Sequence, residues 1–169
     1  NGRPQNYHTA FFLPGGARSP FLDLLDVRYV LVDATIPEDR DDVVALKEGR
    51  REVFRTPLVV IYERSEPLPH AWIVHEVQTV ERGEALPLIQ NGTVDPYRTA
   101  LVEGDAPTVA PATAGATESA TVTRYESDRV TIEATAASDG FLVVSEIYEK
   151  GWRAYVDGER VDILPTDHA

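Results

Sequence analysis

The chain has 169 residues, 43% of them hydrophobic, and contains neither Cys nor Met. That allows one ordinary domain or two small ones with a core, which excludes disorder throughout, and it also excludes disulfides, thiolate metal sites and cysteine nucleophiles. The formal charge of −12 is spread along the chain, with 16 acids against 11 bases before Asp105 and 12 against 5 from there on, and such a surface repels nucleic-acid backbones and anionic lipid heads.

Asn1 to Gly16 is polar and punctuated by Gly and Pro, and reads as an irregular lead-in. Ser19-Pro20 reads as a helix start, with Ser as N-cap, Pro in the first turn, and Phe21, Leu22, Leu24 and Leu25 as its buried side. Val27–Val32 is apolar and β-branched, the pattern of a buried strand. Pro37–Lys47 is a helix candidate whose acids Glu38, Asp39, Asp41 and Asp42 crowd its first turn, where the helix dipole favours negative charge. Strands are expected at Arg51–Arg55 and Leu58–Glu63, an extended turn at Pro67-Leu68-Pro69, and a strand at Ala71–Val77. Arg82–Gln90 is a short helix limited by Pro87, Asn91-Gly92 a turn, and Thr99–Glu103 another strand.

Asp105–Ala120 is Ala, Thr, Pro and Gly with few large apolar groups, and reads as a linker or long loop. Strands follow at Thr121–Tyr125, Arg129–Thr135, Gly140–Tyr148, Trp152–Val156 and Glu159–Leu164, the last two joined by the hairpin signal Asp157-Gly158. The expected fold is α+β and mainly β. A mixed α/β subdomain covers 1–104, the linker 105–120, and an incomplete β-sandwich-like subdomain 121–169. No apolar run reaches the roughly 18 residues of a membrane helix, the longest being Leu58–Tyr62, and no signal-peptide pattern opens the chain. The absence of Met fits a start inside a longer reading frame.

Motifs for chemistry are sparse. Asp39-Arg40-Asp41 spells the acid-x-acid pattern of some metal–sugar-nucleotide sites, but acids at a helix start explain it better. His70 and His75, at odd spacing on an extended strand, point to opposite faces and lack a third ligand at recognisable spacing. His8 and His168 suggest nothing. No Gly-x-Ser-x-Gly elbow surrounds a serine. Asn91-Gly92-Thr93 fits a glycosylation sequon, with a turn as its better-supported role. Trp72 reads as core. Alternation through the last hairpin puts Trp152, Ala154 and Val156 on one face, where Trp152 reads as core, and Arg153, Tyr155 and Asp157 on the other. There Tyr155, with Tyr148 from the neighbouring strand, Arg153 and Glu146, forms the best candidate glycan-contact platform. No catalytic, cofactor or metal residue is assigned.

Several segments together carry a family resemblance. Leu24-Leu25-Asp26-Val27-Arg28-Tyr29-Val30-Leu31 is similar to a "LLxVRYVL" segment. Val60-Ile61-Tyr62-Glu63-Arg64 with Leu68-Pro69-His70-Ala71-Trp72-Ile73-Val74 is similar to "VYEN…LPRAYxV". Asp95-Pro96 and Ala100-Leu101-Val102-Glu103 fit "DP…AxVE". Val143–Tyr148 with Gly151–Gly158 resembles "LVLSDxYYPGWxAxVDG", with Glu146 in place of Asp. Their order resembles the C-terminal extracytoplasmic region of YfhO-like bacterial membrane proteins, which are multi-spanning and related to C-type glycosyltransferases.

The resemblance implies a bacterial cell-envelope setting and a parent that uses polyprenyl-phosphate sugars. The parent's catalytic acid is expected between early membrane helices, so no catalytic residue carries over, and Ser145 becomes a structural position. The expected function is a non-catalytic accessory domain, soluble as an isolated fragment. Its partners would be the rest of the parent on the extracytoplasmic side of the cell membrane and a cell-surface glycan acceptor, with no nucleic acid and no membrane insertion of its own. The alternatives are a purely structural or protein-interaction module, and an independent sugar-active enzyme. No cofactor is expected.

Overall fold

The computed structural model describes residues 14–64 and 69–167. His8, His168, most of the expected lead-in and the Pro67-Leu68 part of the expected turn lie outside these. Eleven strands and four short helices make the fold α+β and mainly β among the described residues. The chain divides into two compact units, 1–22 with 27–67, and 23–26 with 68–169.

The first unit begins with α1 (Pro14–Ala17), where the sequence reading expects irregular chain. Helix α2 (Phe21–Leu24) starts one residue later than Ser19-Pro20 predicts, with Pro20 in the turn before it, and Ser19 Oγ accepts the Phe21 N–H at 3.3 Å. Strands β1 (Tyr29–Asp33), β2 (Arg50–Arg55) and β3 (Val59–Arg64) form an antiparallel sheet in the order β1-β3-β2. A bulge between Glu52 and Phe54 interrupts the β2–β3 register. Helix α3 (Asp41–Lys47) has Asp41 and Asp42 in its first turn and Lys47 in its last, complementing the helix dipole at both ends. Its Val43, Ala45 and Leu46 pack with Ala17, Val32, Val60 and Tyr62 as one apolar core. Burial of each larger side chain in such a core contributes about 1.5–3 kcal/mol relative to exposure.

The second unit contains β4 (Ala71–Val74), β5 (Glu76–Val80), α4 (Ala85–Gln90), β6 (Thr99–Glu103), β7 (Ser119–Glu126), β8 (Arg129–Thr135), β9 (Phe141–Val144), β10 (Ala154–Val156) and β11 (Glu159–Val161). The expected single strand 71–77 breaks at His75 into β4 and β5, and the two halves take different partners. β4 pairs antiparallel with β9, while β5 pairs parallel with β6. A parallel pair needs a crossover, and α4 supplies it. β6 is buried along Thr99–Val102, the continuous run expected of a strand covered on both faces. Its other edge carries the segment 165–167, with Glu103 N–H to Pro165 O at 3.0 Å and Asp167 N–H to Leu101 O at 2.9 Å.

The β4–β9 ladder changes the expected domain division. Ala71 faces Val144 and Val74 faces Phe141 across it, so the strands after 121 share a unit with 68–104 rather than standing alone. The intervening 105–118 has no regular structure, yet it is fastened rather than loose: Ala106 N–H reaches Thr79 Oγ1 at 3.3 Å and Ala110 N–H reaches Asp139 O at 2.9 Å. The β10–β11 hairpin turns at Asp157-Gly158, both with positive φ (51° and 86°), the backbone that a two-residue type I′ turn requires and that Asp-Gly tolerates.

Candidate functional site

The backbone of the second unit brings four separated segments to one open groove of about 580 Å³. Leu24, Leu25 and Asp26 come from the end of α2 and the turn after it, where Asp26 sits at φ 49°. Aspartate is among the few residues that adopt this left-handed backbone readily. His70 immediately precedes β4, and Ser145, Glu146 and Ile147 follow β9; Val122 and Tyr125 stand on β7. The Ser145 N–H donates to His70 O at 2.8 Å, extending the β4–β9 ladder by one step and fixing His70 beside Glu146.

Within the groove the imidazole lies between two carboxylates. Nε2 is 3.0 Å from Glu146 Oε1, and Nδ1 is 3.4 Å from Asp26 Oδ2. Glu146 also faces the Tyr125 phenol, and hydrogen bonding to it, then its charge, holds the phenol's pKa above the ordinary tyrosine value. The Tyr125 ring meets His70 edge-on, centroids 5.3 Å apart at 87°, a favoured aromatic geometry. The Ser145 hydroxyl donates to Leu24 O. Leu24, Leu25, Val122 and Ile147 supply the apolar part of the lining. His70 Nε2 bonds Glu146 and the Ser145 hydroxyl bonds the Leu24 carbonyl, so the two side chains are not joined to each other as a nucleophile and its base would be. The arrangement suits holding: carboxylates accept from ligand hydroxyls or ammonium groups, and the tyrosine and aliphatic groups offer a flat apolar contact.

Of the four expected contact residues, the groove includes Glu146 alone. The strand β9 ends at Val144, so Tyr148 lies beyond it rather than on a neighbour of β10. β9 pairs with β4 and β10 with β11, so the ladder that was to align Tyr148 with Tyr155 is not formed. Tyr155 is 59% exposed on its hairpin, opposite Arg160, and Arg153 is exposed just before it. Trp72 is buried as expected, its Nε1 donating to Pro96 O at 3.1 Å; Trp152 is half-buried.

Asp39-Arg40-Asp41 lies at the entry to α3, where Arg40 pairs with Asp42 at 2.6 Å. No three His, Asp or Glu among the described residues are grouped to hold a metal ion. Asn91-Gly92-Thr93 is a turn, with Asn91 Oδ1 accepting the Thr93 N–H at 2.9 Å. No helix among the described residues is long and apolar enough to cross a membrane. No family model, curated protein or solved structure matches the chain.

Proposed function

We propose that the chain is a non-catalytic accessory domain of a multi-spanning membrane protein resembling the YfhO-like glycosyltransferases. It would act at the extracytoplasmic face of the cell membrane, with the groove around His70 holding a segment of the cell-surface glycan acceptor. One observation carries this reading. Three of the segments on which the resemblance rests converge on the groove, contributing Leu24-Leu25-Asp26, His70 and Ser145-Glu146-Ile147. A pyranose offers hydroxyls around its rim and C–H groups on its faces. Glu146 and Asp26 suit the first, and Tyr125 with the aliphatic lining suits the second.

The test is binding of the chain to a panel of bacterial cell-wall glycans. Binding that falls at least tenfold in Tyr125→Ala and in Glu146→Gln, and is unchanged in Tyr155→Ala, is the expected result. A folded sample that binds none of the glycans overturns the reading.

A second reading, a protein-interaction module, has its own support in the first unit. Leu31, Ile61 and Phe54 face one another across β1, β3 and β2, and Leu31 and Phe54 are 66% and 52% exposed. An apolar row on one sheet face is the kind of surface that proteins bury against partners. Capture of the remainder of the parent protein by this chain, lost in Phe54→Glu, would favour that role.

A further inference from the structure

His75 stands at the break between β4 and β5, and both its ring nitrogens face atoms that carry no proton. Nδ1 is 2.8 Å from Ala110 O and Nε2 is 2.8 Å from Glu118 Oε2. A carbonyl and a carboxylate can only accept, so both contacts are hydrogen bonds only when the ring carries both protons; a neutral imidazole has one N–H and must leave one contact as lone pair against lone pair.

The two partners lie in the irregular segment that follows β6, Ala110 near its middle and Glu118 at its end, just before β7. Each is tied in turn to the turn before β9. Ala110 N–H donates to Asp139 O at 2.9 Å, Glu118 Oε1 accepts the Ala137 N–H at 2.9 Å, and Ser138 Oγ donates to Pro111 O at 3.1 Å. Gly140 completes the arrangement, because a Cβ there would lie 2.6 Å from Ile73 Cγ2 and 3.1 Å from His75 Cε1. The ring thus lies where only glycine leaves room. Beside it, Glu76–Thr79 of β5 and Ala106–Val109 of the segment line a second groove of about 470 Å³.

The geometry points to a proton-operated latch: doubly protonated His75 holds the 106–111 segment beside β5, and loss of one ring proton releases it. The charged group on the ring is Glu118. Glu76, the neighbour on β5, directs its carboxylate to the Thr99 hydroxyl at 2.8 Å, and Asp139 presents its backbone carbonyl. When one proton leaves, the surviving N–H stays with the carboxylate, the stronger acceptor. The Ala110 contact is therefore the one that opens.

The hydrogen bond to Glu118, then that to the Ala110 carbonyl and after these the Glu118 charge, raise the His75 pKa above the ordinary histidine value against the opposing effect of burial. Glu118 is itself held below the ordinary carboxylate value, first by the Ala137 N–H and then by His75. The latch is closed between these two values and opens as pH rises through the upper one.

Nuclear magnetic resonance of the whole chain from pH 5.5 to 9.5 tests this. The imidazole signals of His75 should titrate with a midpoint above the ordinary histidine value. The amide signals of Ala106, Thr108, Val109 and Ala110 should move with that same midpoint. Glu118→Gln should lower the midpoint, and His75→Gln should abolish the pH dependence of the four amides. If His75 titrates while those amides stay still, the latch is overturned. The wild-type titration decides the matter even if a variant does not fold.

Discussion

The two units are held together in different ways. In the first, side-chain ion pairs decorate a sheet and helix that already share an apolar core. Arg51 and Arg28 meet Glu63, Arg55 meets Glu52 and Glu38, and Lys47 meets Glu38, all with at least one exposed partner. In the second, two-stranded ladders are joined by side-chain hydrogen bonds between residues far apart in sequence. The separations are 76 residues for His70 and Glu146, 43 for His75 and Glu118, and 66 for Asp167 and Leu101. Surface pairs contribute little to stability, whereas buried polar pins must keep their partners satisfied.

The difference gives the units opposite pH responses. Glu63, Glu38 and Glu52 are held below the ordinary carboxylate value by their arginine and lysine partners. Their contribution is present above that ordinary value and is lost as pH falls through the lowered ones. In the second unit His75 is raised, and burial lifts Asp167 to about 6. What these two contribute is present at low pH and is lost as pH rises, through about 6 for Asp167 and through the raised histidine value for His75. Glu118 is the exception in the second unit, lowered and therefore acid-sensitive.

The largest expected effect comes from breaking the buried strand β6, to which the Asp167 pin is fastened. Leu101 is fully buried on β6, between β5 and the 165–167 segment. Leu101→Ala should cost about 3 kcal/mol, read by urea unfolding with tryptophan fluorescence, since Trp72 and Trp152 both lie in this unit. Next is Asp167, 4% exposed, whose Oδ1 accepts the Leu101 N–H while Oδ2 has no partner among the described residues. Asp167→Asn keeps the acceptor, tolerates the φ of 56° and removes a buried charge. It should stabilise the chain by on the order of 2 kcal/mol at pH 8 and have little effect at pH 4.

Gly140→Ala follows, at a cost of about 1–2 kcal/mol as Ile73 and the His75 ring are displaced, seen as a lower melting temperature. The smallest is Glu63→Gln in the first unit. It should flatten that unit's loss of stability below pH 4 and leave the alkaline limb of the second unit unchanged. An alkaline limb that moved with it would contradict the comparison.

Local structure was legible in the sequence where the signal is local. The β-branched runs mark β1 and β3, although β1 is buried only at Val32; the acids mark α3, which starts at Asp41 rather than Pro37 and so leaves Glu38 and Asp39 outside its first turn; and Asp157-Gly158 marks the last hairpin. Partnership was not legible. Nothing within residues 71–80 states that the first half pairs with β9 and the second, in parallel, with β6, because a strand's partner is written elsewhere in the chain. The neighbourhood of the candidate site is not legible for the same reason. Glu146 was singled out for its place near two tyrosines, whereas its neighbours are His70 and Tyr125. No acid stands at a recognisable spacing from His70 in the sequence, although folding places Asp26 and Glu146 beside it. The Ala-, Thr-, Pro- and Gly-rich composition of 105–120 signals the absence of regular structure as far as 118, while Ser119 and Ala120 already belong to β7. It carries no trace of the contacts that Ala110 O and Glu118 make with His75, because the histidine stands in another segment.

The measurement that bears most directly on the groove is mapping of backbone amide shifts as a bound cell-wall glycan is titrated into the chain. Changes confined to Asp26, His70, Val122, Tyr125 and Ser145–Ile147 are the predicted result. Changes centred on Tyr155 and the β10–β11 hairpin, or none anywhere in a folded sample, would contradict the assignment of this groove as the glycan-holding site.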